Sequence, residues 1–215
     1  MSLSLLEEYI ESGNNVAIDK LLASDPSLCL EKTSHDISPL LLACYYNKPQ
    51  TVKVILKHAR EITLFEAAAA GLADLVSDYI EEDPSLVHEH SEHGFSALGL
   101  AVHFGNADVV RYLILKGANV NDPSSNGYNV FPLHTAVSSN FDTIAKMLVE
   151  AGAVVNVRQA ANNTPLHAAA QNGNIELLIL LLENGAEVDA KNDFGKTPAD
   201  LALEKGYEEI GKILS

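Results

Sequence analysis

The chain of 215 residues has no tryptophan and only two cysteines, two methionines and 6% aromatic residues. A core built on large rings is excluded. The 47% of hydrophobic residues must pack mainly as aliphatic and alanine side chains, which suits helices that approach closely. Cys29 and Cys44 sit among Leu28, Leu30, Leu42 and Ala43. Two thiols in such surroundings read as reduced core residues rather than a disulfide framework, and they point to a reducing, cytoplasmic compartment. Basic residues are also scarce: 14 Lys and Arg face 29 Asp and Glu, for a net charge of −15. That balance excludes the basic stripe needed to displace counterions from nucleic acid, and it opposes adsorption to an anionic membrane. A partner with a basic patch would be steered inward. No apolar run reaches the roughly 18 residues of a membrane-spanning helix. The first residues carry Glu7, Glu8 and Glu11 in place of a basic leader, so they do not read as a secretory signal.

What the chain does have is a ladder of small residues: Gly13, Asn47, Gly71, Gly105, Asn140, Gly173 and Gly206, separated by 34, 24, 34, 35, 33 and 33 residues. A period near 33 marks a stack of similar supersecondary units. One unit can be read from Ala160 to Ala190. Thr164-Pro165 starts a helix, because the Thr hydroxyl can cap free backbone N–H groups and Pro at the first helical position forfeits no bond. Leu166, Ala169 and Ala170 follow at helical spacing, and Gly173 permits the left-handed residue that ends the helix. A second helix, Ile175 to Glu183, is too apolar all round to stand alone and needs covering by neighbouring copies. Gly185 stops it. The segment Asn192-Asp193-Phe194-Gly195 then turns the chain back towards Thr197.

Thr-Pro-Leu-His stands complete at Thr164 to His167 and in part at Phe131 to His134, Ser38 to Leu41, Thr197 to Ala199 and Ser96 to Leu98. Gly-Ala-x-Val-Asn/Asp closes units at Gly117 to Asn121, Gly152 to Asn156 and Gly185 to Asp189. With these two signatures the chain resembles the ankyrin repeat family over nearly its whole length. The resemblance implies an all-α solenoid of about seven helix pairs joined by short β-hairpin or turn fingers. The pairs are predicted at Leu3–Ala23, Ser38–Ala59, Thr63–Glu82, Ser96–Lys116, Pro132–Ala151, Thr164–Asn184 and Thr197–Leu214. The chain divides accordingly into an N-terminal cap unit (1–33), internal units at 34–60, 61–92, 93–124, 125–158 and 159–190, and a C-terminal cap unit (191–215). These units consume the length, leaving no catalytic domain within it, and capped ends argue for a monomer.

Two irregularities stand out. The 24-residue step from Asn47 to Gly71 is about ten residues short, so only Lys57 to Ile62 joins two helices and one finger is missing. The 35-residue step contains two extra residues around Asn126-Gly127-Tyr128-Asn129-Val130, where Asn-Gly favours a tight reversed turn. That finger is expected to project and display Tyr128.

No catalytic set emerges. Gly195-Lys196-Thr197 resembles the end of a phosphate-binding loop but lacks the earlier glycine, and Gly94-Phe95-Ser96-Ala97-Leu98 lacks the last glycine of a nucleophile elbow. His88, His90 and His93 are candidate metal ligands, since alternate residues of an extended arm point the same way, but a solvated finger is the favoured reading. No metal or other cofactor is assigned. His134 and His167 brace the turn of the family motif.

The family's concave face maps here onto the residues before each ladder position and onto the finger tips. Tyr45, Tyr46, His103, Phe104, Ser138, Gln171 and Asn172 belong to the first set, and Phe95, Tyr128 and Phe194 to the second. Tyr and Phe give large contact areas with few rotors to freeze. The missing finger should widen the groove beside Tyr46 and Phe104, and a partner segment is expected to enter there. The leading expectation is a non-enzymatic scaffold that binds another protein. The alternatives are a regulatory inhibitor subunit of an enzyme or effector, and a metal-binding protein using the His88 to His93 cluster.

Overall fold

The computed structural model describes residues 2–215. Fourteen α-helices run as seven antiparallel pairs: α1 Ser2–Ser12 with α2 Asn15–Ser24, α3 Pro39–Tyr45 with α4 Pro49–Leu56, α5 Leu64–Ala70 with α6 Ala73–Glu82, and α7 Ala97–His103 with α8 Ala107–Leu115. The last three pairs are α9 Pro132–Ser138 with α10 Asp142–Glu150, α11 Pro165–Asn172 with α12 Ile175–Glu183, and α13 Pro198–Glu204 with α14 Glu208–Ile213. The first helices of successive pairs stack on one another along the whole chain. No strand is present among the described residues, and a single bridge between His90 and Ser96 is all that the fingers contribute in sheet pairing.

Each residue of the ladder adopts a left-handed conformation, with φ between 51° and 84°. This is why only Gly or Asn occurs there: both tolerate a conformation that crowds other side chains. The next unit adds a second constraint at some of them. A methyl group on Gly173 would lie 2.5 Å from the ring of Tyr207, and one on Gly105 would lie 3.0 Å from Phe141.

Capping also follows the sequence, with one difference. At Thr63 and Thr197 the hydroxyl accepts from the backbone N–H three residues on, while Glu66 and Asp200 accept from the Thr N–H in return. At Thr164 the hydroxyl lies 2.8 Å from His167 Nδ1, which also accepts from Thr164 N–H at 3.2 Å. An accepting Nδ1 places the ring proton on Nε2, which donates to Lys196 O of the next finger at 3.1 Å. The Asn of the closing signature has an equally local purpose. Asn156 Nδ2 donates to Gly185 O at 3.0 Å and its Oδ1 accepts from Glu187 N at 3.0 Å, and Asn121 does the same to Gly152 and Val154.

In α12, Leu177, Leu178 and Leu181 are buried and Leu180 and Leu182 half-buried, whereas Ile175 and Ile179 face outward. At about 1.5–3 kcal/mol for each leucine fully removed from water, this helix is held mainly by its neighbours α10 and α11. The fingers close with one recurring bond: Thr33 N to Ile37 O, Ser91 N to Phe95 O, Gln159 N to Asn163 O and Asn192 N to Lys196 O, each 2.9–3.0 Å. In the longer finger Ser124 N reaches Val130 O instead. Its turn is not the expected reversed Asn-Gly type. Gly127 and Asn129 are left-handed, while Asn126 accepts from Tyr128 N–H through its side chain.

Between α4 and α5 no finger forms. Here α4 and α6 do not stack as α2 does on α4 or α6 on α8, and the buried core divides. Leu6 to Ile55 form one cluster and Leu64 to Leu214 another, with Ile62 half-buried against both.

Candidate functional site

The short connection between α4 and α5 positions everything at this site. Helix α5 lies between α3 and α7, and its end is Ala67-Ala68-Ala69-Ala70. With only methyl groups in the middle, the larger side chains of the flanking helices converge over it. The ring of Tyr45 lies 5.0 Å from Phe104 at 71° and 5.6 Å from His103, and His103 lies 4.8 Å from Phe104 at 86°. Such edge-on pairs are worth about 0.5–1.5 kcal/mol beyond their burial. The cluster stays partly open, with Tyr45 45% exposed. Burial nevertheless pushes the Tyr45 phenol above its ordinary range and the His103 imidazole below its own.

Beside the cluster, where the absent finger would lie, a cavity of about 430 Å³ opens. Leu30 comes from the end of the first unit, Ile37 and Leu41 from the second, Phe65 from the third, and Phe95 and Leu100 from the fourth; Tyr45 joins them. Lys32 spans the gap at the surface, its Nζ 2.6 Å from Glu92 Oε2 on the far finger and 3.5 Å from Asp36. The hydrogen bond to Glu92 holds the Lys32 ammonium above the ordinary lysine range. Cys29, Glu61, Glu66, Glu92 and His93 also line the cavity. Burial first, and then the Glu66 charge, push the Cys29 thiol up and Cys44 to about 12. Neither thiol is poised as a nucleophile.

The expected site residues divide into three groups. Tyr45 and Phe95 line the cavity, while His103 and Phe104 stack on Tyr45 without lining it and Tyr46, 36% exposed, follows Tyr45 in the chain. Ser138, Gln171 and Asn172 line a separate polar depression with Lys205 and Tyr207. There Asn172 Nδ2 donates to Ser138 O at 3.1 Å, which makes it a strut between units. Tyr128 and Phe194 stand alone on their fingers, each 75% exposed. Sequence reasoning missed Lys32, Phe65 and Glu66. A signal for Glu66 existed: it follows Thr63 at the spacing by which His167 follows Thr164, so a carboxylate occupies the imidazole's place.

The three candidate metal ligands do not converge. His90 Nε2 reaches Asp122 Oδ2 at 3.2 Å, His93 leans on Glu92 at 3.6 Å, and His88 is exposed. Among the described residues no group of three His, Cys, Asp or Glu side chains could hold a metal ion, so the metal-binding alternative has no geometric basis. The reason is the turn Ser91 to Gly94, which separates His90 from His93 and sends His90 to the neighbouring finger.

A stack of two-helix units with left-handed ladder residues, turn fingers and an open inner face defines a repeat protein of the ankyrin type. Sequence profiles of the family described as ankyrin repeats match residues 64–159 and 148–202, and the chain belongs to this family. It is similar to the RelA-associated inhibitor of Mus musculus, 40% identical over 96 residues, which cover 44% of this chain and 11% of that protein. It is also similar to the ankyrin repeat and SAM domain-containing protein 6 of Rattus norvegicus, 33% identical over 93 residues, or 43% of this chain and 10% of the relative. A third relative is the poly [ADP-ribose] polymerase tankyrase of Caenorhabditis elegans, 38% identical over 87 residues, or 40% of this chain and 4% of the relative. The matched region thus spans about a tenth or less of these relatives' length. As an ankyrin-repeat array the chain is a protein-interaction module. No helix among the described residues is long and apolar enough to cross a membrane.

Proposed function

We propose that this chain is a non-enzymatic scaffold that recognises another protein through its concave face, and that the partner enters at the notch left by the missing finger. The observation that carries the reading is the half-open cluster of Tyr45, His103 and Phe104 beside an apolar cavity of about 430 Å³. Aromatic anchors next to a concave apolar recess are what binding hot spots are made of. The same reading takes the seven helix pairs as one array that acts as a monomer in the cytoplasm, where free Cys29 and Cys44 stay reduced.

A photo-crosslinking amino acid in place of Tyr45 or Phe95 tests this, with Leu115 of α8, 80% exposed, as the control position. The expected result in extracts of the native source is a discrete protein adduct from the two notch positions and none from Leu115. The same adducts from all three positions, or none from the notch, would overturn the reading.

A second reading is supported by the 40% identity to the RelA-associated inhibitor: the module would act as a regulatory inhibitor by covering a partner's functional surface. It predicts a one-to-one complex in which the partner's activity falls. A complex with unchanged partner activity leaves the scaffold reading alone.

A further inference from the structure

Glu66 is the least exposed carboxylate of the notch, at 9% exposure. Its Oε2 accepts both the N–H and the hydroxyl of Thr63 at 2.8 Å, while Oε1 has no hydrogen-bond partner among the described residues. The corresponding groups elsewhere are satisfied differently. His167 uses its second nitrogen to reach the next finger, and Asp200 is exposed to water. Capping Thr63 needs a single acceptor oxygen, which a neutral glutamine would supply. A charge and a second acceptor at the edge of the cavity are therefore left over, and a charged donor is the strongest partner for such a carboxylate.

The other charged groups of the cavity favour the same occupant. Glu61 and Glu92 also line it, Lys32 is already engaged by Glu92 and Asp36, and His93 leans on Glu92 at 3.6 Å. Leu41, Phe65, Phe95 and Leu100 offer an apolar passage for an aliphatic stem. We propose that the notch is a socket for one basic side chain of a partner segment, arginine above lysine, with Glu66 Oε1 as its acceptor. Arginine is preferred because its guanidinium is planar and weakly hydrated and stacks on aromatic rings such as Phe65 and Phe95. An acidic segment is disfavoured by Glu66 and Glu61, and a wholly apolar one would cover the Glu66 carboxylate without pairing it. This inference rests on the reading of the notch as the partner's docking place and specifies the chemistry it selects.

The test uses the full chain labelled with ¹⁵N and three blocked pentapeptides, with arginine, citrulline or norleucine between pairs of alanines. Citrulline keeps arginine's shape without its charge, so the comparison does not depend on any protein variant. The arginine peptide is expected to shift the amides of Thr63 to Ala67 and Ser91 to Phe95 and to bind at least about tenfold more tightly than citrulline. Glu66→Gln, which keeps the Thr63 cap, should bring the arginine peptide down to the citrulline level in a protein whose spectrum stays dispersed. Equal binding of citrulline, tighter binding of norleucine, no response to arginine, or an unchanged arginine affinity in E66Q would each overturn the proposal. Crosslinking from Tyr45 remains a separate readout: an adduct there combined with any of these results retains the docking site and removes the basic socket.

Discussion

Histidines 134 and 167 stand one unit apart in the same motif, and both are buried, at 8% and 1% exposure. Burial holds each imidazole below its ordinary value of 6.5. The unfolded chain therefore takes up protons near pH 6.5 that the folded chain rejects. The stability tied to these neutral rings is intact above that pH and is lost as pH falls from there towards the depressed folded values. Urea unfolding between about pH 7.5 and 5.5 should show a falling midpoint, on the order of 1 kcal/mol for each pH unit by which one histidine is depressed. Replacing both by asparagine should reduce that slope to the part contributed by His103, whatever it does to the stability itself. A slope unchanged in the double variant would contradict the assignment. Asp19, Asp83 and Asp200 are held below the usual carboxylate value of 3.8, so their contribution disappears only at more acidic pH and does not mask the histidine step.

At the scale of the helix pair, a left-handed ladder residue does two things: it ends one helix and, at some positions, makes room for the next unit. Gly173, on the ladder, and Gly185, which ends the second helix α12, separate these roles. Both are left-handed, but a methyl on Gly173 meets the Tyr207 ring while one on Gly185 meets nothing within 4 Å. Gly185→Ala should lose about 1 kcal/mol from conformation alone, and Gly173→Ala at least about 2 kcal/mol, because the Tyr207 ring must move as well. Equal losses in denaturant melts would show that unit packing does not weigh on the ladder. The ladder itself was legible in the sequence because left-handed positions admit few residue types, and the helix pairs were legible because Thr-Pro starts and Gly or Asn stops bracket them. The turn at Asn126 was less so. Asparagine serves a turn either through its backbone or through its side chain, and the same two letters encode both. The notch was half legible. A 24-residue step shows that a finger is missing, but Glu66 looks in sequence like any first-turn cap. Only the stacked units show that Leu30, Phe65 and Leu100, far apart along the chain, share one recess with it.

Across the whole molecule, the missing finger divides as well as opens. The core separates into Leu6–Ile55 and Leu64–Leu214, α4 and α6 touch little so that α3 on α5 carries most of the helix stacking there, and Lys32–Glu92 is an exposed strap that salt screens. Stability in such arrays is a sum over units and their nearest-neighbour interfaces, so the weakest interface sets where the stack parts. Hydrogen exchange should resolve two cooperative blocks that meet between residues 57 and 63, with the N-terminal block opening more readily. A single block with uniform protection would contradict this division.

Recognition at the notch is the central claim, and restoring the finger tests it most directly. Inserting about ten residues patterned on Lys32–Ile37 between Lys57 and Ile62 returns the 24-residue step to the period of its neighbours and fills the cavity without touching a helix. The prediction is an array of unchanged helix content that no longer binds the partner captured from Tyr45. Full binding by the refilled, folded array would contradict the claim.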